Sequence, residues 1–170
     1  MRALTAGERA VARRLFGTSL DADRVRVHAR GYLPWLRRVA MAPAGELYFP
    51  PALYRADFSR AGPRSQCLFV HELTHVWQYQ QGVPVRLAGV CLCLQGAYWL
   101  RDAYRYPAGD ARPFRAYNFE QQAELVARYW GARLGLAECA AEEAWLGEVL
   151  AGFFADPAAP ALLPARWWRL

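Results

Sequence analysis

A nearly uncharged stretch with a single glutamate constrains this chain more than any other feature. Between Cys67 and Gln81 the only charged side chain is Glu72. The spacing of the apolar residues predicts a helix over about residues 65–80 that ends before Gly82. The apolar residues of this helix are Leu68, Phe69, Leu73, Val76 and Trp77. Because a buried helix rarely keeps a lone carboxylate, Glu72 requires a partner.

Two histidines accompany this glutamate in the pattern HELTH. His71 and His75 are four residues apart, so on a helix they lie one above the other on the same face. Both imidazoles can then direct a nitrogen at one Zn²⁺ ion, about 2.0–2.1 Å away. Glu72, about 100° farther round the helix, is placed as a general base for a water beside that ion. The alternative is that both histidines are ordinary core residues with satisfied hydrogen bonds.

A third ligand is needed for a catalytic zinc site, and no histidine follows His75. A second helix, predicted over about residues 118–134, carries Glu120 and Glu124 on one face at the border of an apolar stripe. One carboxylate on the metal and the other supporting an imidazole would explain two acids at that border. A solvated acidic edge is the alternative, and the spacing alone does not assign the two roles.

Length and charge limit the other classes of function. The 170 residues are predicted to form a single domain, 1–170, which is long enough to bury a core. The net charge of +6 rests on 21 basic residues that are all arginine and are scattered, so we expect no nucleic-acid partner. The cysteines do not form two pairs at metal-ligand spacing, so free thiols in a reducing compartment are expected. They are Cys67, Cys91, Cys93 and Cys139.

Neither a signal peptide nor a membrane span is predicted. The first 17 residues alternate arginine with apolar residues and lack the continuous apolar core of a secretory signal. The most apolar window, Leu87–Leu100, has 14 residues, whereas a bilayer span needs about 20. We therefore expect a cytoplasmic protein, or one exported through a secretion apparatus without a cleavable signal peptide.

The remaining patterns indicate an α+β domain that is mostly helical, with a small mixed or antiparallel sheet. A capping box formed by Thr5 and Glu8 predicts a helix that ends at Gly17. Further predictions are a helix over Val85–Asp102, a last helix over Ala137–Phe154, and a surface tail over 155–170 that is anchored by Trp167 and Trp168.

Two short strands are also predicted. Arg24–Arg30 alternates strictly, with His28 on its polar phase, so His28 is expected at the surface. Glu46–Phe49 is followed by two prolines, which predicts an edge strand. An extended peptide substrate could pair with this edge near Tyr48 by strand addition.

The motifs HELTHVWQ and EQQAE together resemble those of the gluzincin metallopeptidases. In that group a helix carrying His-Glu-x-x-His is completed by a glutamate from a later helix. The resemblance implies a compact zincin-like (minigluzincin) fold with one zinc ion per chain, held by His71, His75 and Glu120. It places Glu124 in the position that supports a histidine, where the group commonly has aspartate instead.

A closer resemblance covers about residues 44–130, in the segments GELYFPPALY, LFVHELTHVWQYQQG and YNFEQQAELV. These segments are similar to the small zincin-like proteins known as vgr-related, which are encoded near contractile injection systems and polymorphic toxins. The resemblance implies a polypeptide substrate and a link to a secretion-apparatus protein.

These observations predict a zinc-dependent metallopeptidase, serving as an effector or a processing enzyme, in which Glu72 is the general base. A second donor to the carbonyl oxygen is expected from the tyrosines that lie between the two motifs. The candidates are Tyr98, Tyr104, Tyr106 and Tyr117. Two alternatives stay open: a non-catalytic zincin-like binding module of a secretion or toxin apparatus, and a zinc hydrolase of a non-peptide bond. The presence of Glu72 argues against the binding module, because a structural zinc site needs no general base.

Overall fold

Strands and helices follow the predicted order along the chain. The computed structural model describes residues 1–96, 98, 103–110 and 112–167. The strands in this part of the chain are β1 (Arg2–Ala3), β2 (Arg26–His28) and β3 (Leu47–Tyr48). The helices there are α1 (Ala6–Phe16), α2 (Pro63–Gln80), α3 (Val85–Leu94), α4 (Phe119–Arg133), α5 (Ala137–Ala140), α6 (Glu143–Val149) and α7 (Ala151–Ala155). The described fold is therefore α+β and mostly helical, as predicted.

The small sheet has the order β1-β2-β3 and is mixed. β1 pairs antiparallel with β2, with Arg2 opposite Val27, and β2 pairs parallel with β3, with Val27 opposite Leu47. β3 is thus an edge strand, as the two prolines after it predicted. Val27 and Leu47 are fully buried, so this face of the sheet packs on the helices.

The N-terminal helix begins as its capping box predicted, and Glu8 does more than cap it. The buried Glu8 carboxylate accepts the amide of Thr5 at 2.9 Å, and also accepts two bonds from Arg2 at 2.7 and 2.8 Å. It accepts the amide of Phe58 at 2.9 Å as well. One carboxylate therefore joins β1, α1 and a distant loop.

The centre of the core is the helix pair α2 and α4. Trp77 of α2 is fully buried, with ring centroids 6.3 Å from Phe16 and 5.2 Å from Phe153. The stripe predicted on α4 is buried throughout: Phe119, Ala123, Val126, Ala127 and Trp130. The two helices also bury polar residues, which is costly unless each has a partner. These residues are His71, Glu72, Thr74, His75, Gln78, Glu120 and Gln122.

His28 is buried, so the prediction of a surface residue is wrong. Its ring stacks on the Tyr48 ring, with centroids 4.2 Å apart and planes 2° apart. Its Nε2 lies 2.8 Å from Glu46 Oε2, to which the Tyr48 hydroxyl donates at 3.0 Å. The alternation along β2 could not show this, because the cover comes from the neighbouring strand.

Two helix boundaries differ from prediction near α2 and α3. α2 begins at Pro63 rather than near Ser65, since proline suits a first helical turn. α3 ends at Leu94, where Gly96 follows in the left-handed region with φ 70°. The rest of the predicted Val85–Asp102 helix falls partly outside the described residues. No helix in the described ranges is both long and apolar enough to span a bilayer.

The predicted last helix, Ala137–Phe154, is broken into α5, α6 and α7. A continuous helix would bond the Glu138 carbonyl to the amide of Glu142. Here Arg128 Nη2 donates to that carbonyl at 2.6 Å, and the Glu142 amide donates to the Cys139 carbonyl instead. Arg128 Nε also holds the Glu142 carboxylate at 2.7 Å. This arginine, which reaches over from α4, is the physical reason for the break between α5 and α6.

The C-terminal tail lies against the helices. The Trp77 indole donates to the Pro157 carbonyl at 3.0 Å, and Leu162 is buried in the main core. Trp167 packs against a smaller apolar cluster that includes Val85 and Phe119. Trp168, the other predicted anchor, lies outside the described residues.

Candidate metal centre

Three ligand atoms from α2 and α4 converge in the seam between these helices. His71 Nε2 and His75 Nε2 lie 3.2 Å apart, and Glu120 Oε2 lies 3.2 Å from the first and 3.1 Å from the second. All three side chains are buried. In the part of the chain that the structure describes, they form the one group of histidine, cysteine or acidic residues with the closeness that a metal ion needs. Such a group could hold a metal ion.

The spacing of the three atoms fits a tetrahedral ion. Two ligands that are each about 2.0–2.1 Å from a tetrahedral zinc are about 3.3 Å apart. The three observed separations, 3.1, 3.2 and 3.2 Å, are close to that value. The donor set of two imidazoles and one carboxylate therefore fits a tetrahedral metal ion such as Zn²⁺.

Each imidazole is oriented through its other nitrogen. His75 Nδ1 lies 2.9 Å from Gln78 Oε1, which can only accept, so Nδ1 carries the proton and Nε2 offers its lone pair. His71 Nδ1 lies 3.4 Å from Glu124 Oε2. Glu124 thus stands beside the histidine in the supporting position that the resemblance implied, and Glu120 faces the ligand nitrogens.

Gln78 was missed by the sequence analysis. Its amide nitrogen donates to the Phe119 carbonyl at 2.9 Å and to Gln122 Oε1 at 3.1 Å. Gln122 in turn donates to the carbonyls of Phe114 and Leu162, both at 2.9 Å. The available signal was a glutamine three residues after His75 on a strongly apolar helix, where a buried amide needs partners.

Glu72 is buried beside this group, and its Oε2 has no hydrogen-bond partner among the described residues. Burial raises the pKa of Glu72, and the nearby imidazoles of His71 and His75 only partly oppose that rise. A buried acceptor without a donor is costly. Glu72 Oε2 is therefore a buried acceptor beside the ligand group that lacks a donor in the part of the chain that the structure describes.

The charges of the ligand group are strongly coupled. Burial lowers the pKa of His71, but the hydrogen bonds to Glu120 and Glu124 outweigh it and raise the pKa to about 10. Burial raises the pKa of Glu120, but His75 and His71 together hold it well below its usual range. Both shifts have one cause: two elements bring opposite charges together in a dry seam.

Of the four candidate tyrosines, the fold places two near the ligand group and two away from it. The Tyr98 hydroxyl donates to Glu120 Oε1 at 2.6 Å, and burial together with Glu120 raises the pKa of Tyr98. The Tyr104 ring lies 5.7 Å from the His71 ring and lines the adjacent cleft. Tyr106 donates to Glu142, and Tyr117 to the Asp110 carbonyl, so neither lies at the ligand group.

The cleft beside the ligand group has a volume of about 460 Å³. His71, Glu72 and Glu124 line it, and residues 38–40 form part of its wall. Tyr48 does not line the cleft. At this residue the backbone groups on the outer edge of β3 are already hydrogen-bonded. The Tyr48 amide donates to Met41 at 2.9 Å, and the Met41 amide donates to Tyr48 at 3.1 Å. The predicted strand addition at Tyr48 is therefore wrong, because a chain segment of the protein already pairs there.

Fold and site together define an α+β domain with a buried His-His-Glu ligand group and an open cleft. No family model matches the chain. It is 38% identical over 148 residues to the type VI secretion system spike protein VgrG2b of Pseudomonas aeruginosa, covering 86% of this chain and 14% of that protein. The chain thus spans about a seventh of the spike protein's length.

The solved structure of the effector domain of Pseudomonas aeruginosa VgrG2b matches with a TM-score of 0.74 and 38% identity. The match covers 89% of this chain and 82% of that domain. This chain belongs to the family of the VgrG2b effector domain. Because both the sequence and the chain path match over most of that domain, the described fold is shared with it.

Proposed function

We propose that this chain is a zinc-dependent metallopeptidase effector of a type VI secretion system, with a compact zincin-like fold. The observation that carries this proposal is the buried group of His71, His75 and Glu120, with Glu72 beside it, whose Oε2 has no hydrogen-bond partner among the described residues. Membership of the VgrG2b effector-domain family supports the secretion part of the proposal. The peptidase part rests on the geometry of the site.

Zinc is the ion that this donor set favours. Two imidazole nitrogens and one carboxylate leave a fourth position open, which is the arrangement of catalytic zinc sites. Magnesium and calcium prefer oxygen ligands throughout, so two buried imidazoles disfavour them. Gln78 and Glu124 contact the far nitrogens of the imidazoles, as groups that orient zinc ligands do.

A bound zinc ion would supply Lewis-acid chemistry, polarising a carbonyl and lowering the pKa of a water molecule. The residues of the chain do the rest. Glu72 takes the proton of the attacking water and passes it to the leaving amine, and the rise in the pKa of Glu72 that burial causes favours the form that holds this proton. Burial of the site strengthens this transfer, because bulk water does not compete for the proton.

Two tyrosines have separate roles in this proposal. Tyr98 fixes the second oxygen of Glu120, so that one oxygen alone faces the imidazoles. Tyr104 lines the cleft beside His71, which makes it the assigned donor to the substrate carbonyl oxygen. Tyr104→Phe should therefore lower kcat with little change in zinc content. Tyr98→Phe should lower zinc affinity.

The test combines metal analysis with peptide cleavage. Purified protein should contain about one zinc ion per chain by elemental mass spectrometry, as one buried three-ligand group predicts. A pool of unlabelled peptides should be cleaved by the zinc-loaded protein and not by Glu72→Gln. Zinc without cleavage of any peptide would favour the binding module or a hydrolase of another bond. Absence of zinc after zinc is supplied would overturn the proposal as a whole.

A further inference from the structure

Two thiols line the cleft close to each other, outside the ligand group. Cys67 lies in α2 one turn before His71, and Cys139 lies in α5. Both line the cleft, Cys67 half-buried and Cys139 buried. No metal site includes them in the described ranges, and the proposed mechanism does not use them.

Gly131 of α4 shows how close the two sulfurs are. A Cβ atom added there would stand 2.9 Å from Cys67 Sγ and 3.0 Å from Cys139 Sγ. The two sulfurs therefore lie no more than 5.9 Å apart, the sum of those distances. A disulfide has an S–S length of about 2.05 Å, so closure requires the two side chains to rotate toward each other.

The glycine itself supports this geometry. Glycine inside a helix is less stable than alanine, so its presence at position 131 needs a local reason. The reason here is space: the missing side chain leaves a notch that both sulfurs share. Gly147 of α6 gives the contrast, since its added Cβ would meet only Tyr129, at an ordinary 4.0 Å.

The two helices that carry the thiols differ in length and in position. α2 is long and central, whereas α5 has four residues and is joined to α2 by the Arg64–Glu138 ion pair at 3.1 Å. Both members of this pair are largely exposed, so it holds α5 only weakly. A covalent bond from Cys67 to Cys139 would fix the same contact permanently.

We infer that Cys67 and Cys139 are a dithiol site that closes to a disulfide by exchange with a low-molecular-weight disulfide such as oxidised glutathione. Cys67, the more exposed thiol, loses its proton and attacks the disulfide, releasing one glutathione thiolate. Cys139 then loses its proton and attacks the Cys67 sulfur of the mixed disulfide, releasing the second. The thiolates take up the two protons, so one protein disulfide and two glutathione thiols result.

The compartment decides which form is present. A reducing cytoplasm keeps both thiols reduced, whereas an oxidising compartment outside it favours the disulfide bond. An exported effector passes from one to the other, and this consequence rests on the proposed function. The exchange is slow at neutral pH, because burial raises the pKa of Cys67 to about 11. Closure is therefore a lasting change after export and not a rapid switch.

The experiment uses the full chain with Cys91 and Cys93 replaced by serine, so that only the two thiols of interest remain. The reduced protein is incubated with oxidised glutathione at pH 8.5 and mapped by non-reducing peptide mass spectrometry. The expected result is one peptide pair joined through Cys67 and Cys139, with the loss of two hydrogen atoms. Tm should rise by about 5–10 °C over the reduced form. Glutathione adducts on Cys67 alone, or disulfide-linked dimers, from protein that is folded by circular dichroism would overturn the inference.

Gly131→Ala and Gly147→Ala sharpen this test. The methyl group at position 131 pushes the sulfurs apart, so closure should slow at least about tenfold, while Gly147→Ala closes at the original rate. Equal rates in both variants would contradict the shared notch. If Gly131→Ala fails to fold, the peptide map of the parent chain still decides the inference. Zinc content should be the same in both redox forms. The disulfide is detected by peptide mapping, which requires no cleavage activity, so failure of the proposed peptidase leaves the disulfide result unaffected.

Discussion

Histidine nitrogens lie close to a glutamate oxygen at two places in this protein, and the two places have different surroundings. His28 lies 2.8 Å from Glu46 in the sheet, and His71 and His75 lie 3.2 and 3.1 Å from Glu120 between the helices. The sheet pair is completed by an aromatic stack, and its Glu46 side chain is 37% exposed. The group between the helices gathers three ligand atoms in a buried seam, beside a Glu72 oxygen that has no hydrogen-bond partner in the described ranges.

The comparison teaches that closeness of histidine and glutamate does not make a metal site. The sheet pair needs nothing further, since Glu46 also accepts from Tyr48. The helix group directs two imidazole nitrogens and one carboxylate oxygen at the same point, and a metal ion that binds there must displace the proton that His71 carries without it.

Glu72→Gln should lower kcat for peptide cleavage by about a thousandfold, the range that a general base contributes. The amide keeps the shape of the side chain but cannot take a proton, so zinc content should not change. Glu46→Gln makes the same chemical change in the sheet and should leave kcat within about twofold, because it lies outside the cleft. Cleavage rates of one reporter peptide compare the two variants. Equal loss of activity in both would show that Glu72 has no special role.

His75→Ala should reduce bound zinc from about one ion per chain to less than about a tenth, because a ligand and its supporting contact to Gln78 are both lost. His28→Ala should keep the full content. Elemental mass spectrometry after gel filtration measures both. Since either change can destabilise the fold, circular dichroism must first show that each variant is folded. Retention of zinc by folded His75→Ala would remove this histidine from the site.

Gln78→Ala should weaken zinc binding by about 10- to 100-fold, the usual cost of losing a group that orients a ligand. Without the Gln78 carbonyl, His75 is free to adopt the other tautomer and to rotate. Gln80→Ala is the matched control on the same helix, because its amide contacts Asp21 at the surface. Competition with a fluorescent chelator gives both affinities. An unchanged affinity in Gln78→Ala would mean that packing alone orients His75.

Zinc affinity should rise by about tenfold per pH unit between pH 6 and 8. The pKa of His71 in the metal-free site is about 10, so its imidazole carries a proton throughout this range, and zinc must displace that proton. Calorimetry in two buffers with different ionisation enthalpies should show release of about one proton per zinc bound. His28→Gln should give the same value. An affinity that is independent of pH would contradict the charge coupling between His71 and Glu120.

Glu46→Gln should lower Tm at pH 7 by only about 2–4 °C, since the Glu46 side chain is 37% exposed and its hydrogen bonds with His28 and Tyr48 contribute about 1 kcal/mol. Burial raises the pKa of Glu46, but hydrogen bonds from His28 and Tyr48 outweigh it and lower the pKa below 4.5. The contribution is therefore present above that pH and is lost as the pH falls through the lowered value. The Tm difference between variant and parent should shrink in acid. A difference that grows in acid would reverse the sign of the shift.

Much of the helical structure could be predicted because its signals are local. The capping box at Thr5 marked the start of α1 and forms as predicted, and α4 begins within one residue of its predicted start. The apolar spacing around HELTH placed α2 to within two residues of its observed start. These features depend on neighbours within one or two helical turns, so a single sequence contains them.

The errors have a different origin. The surface assignment of His28 failed because Tyr48 covers it from another strand. The continuous last helix failed because Arg128, on α4, takes the Glu138 carbonyl. The free edge at Tyr48 failed because Met41 pairs with it. In each case a residue from elsewhere in the chain satisfies a group whose partner the local pattern cannot specify.

The sequence alone places two imidazoles on one helix face and two acids on another, because residues four apart on a helix share a face. Tertiary packing brings Glu120 to His71 across 49 residues of chain, sets Gln78 and Glu124 against the far nitrogens of the imidazoles, and sets Tyr98 against the second oxygen of Glu120. These contacts form because α2 and α4 pack along one seam. Burial in that seam forces each polar atom to find a partner that its own helix cannot provide.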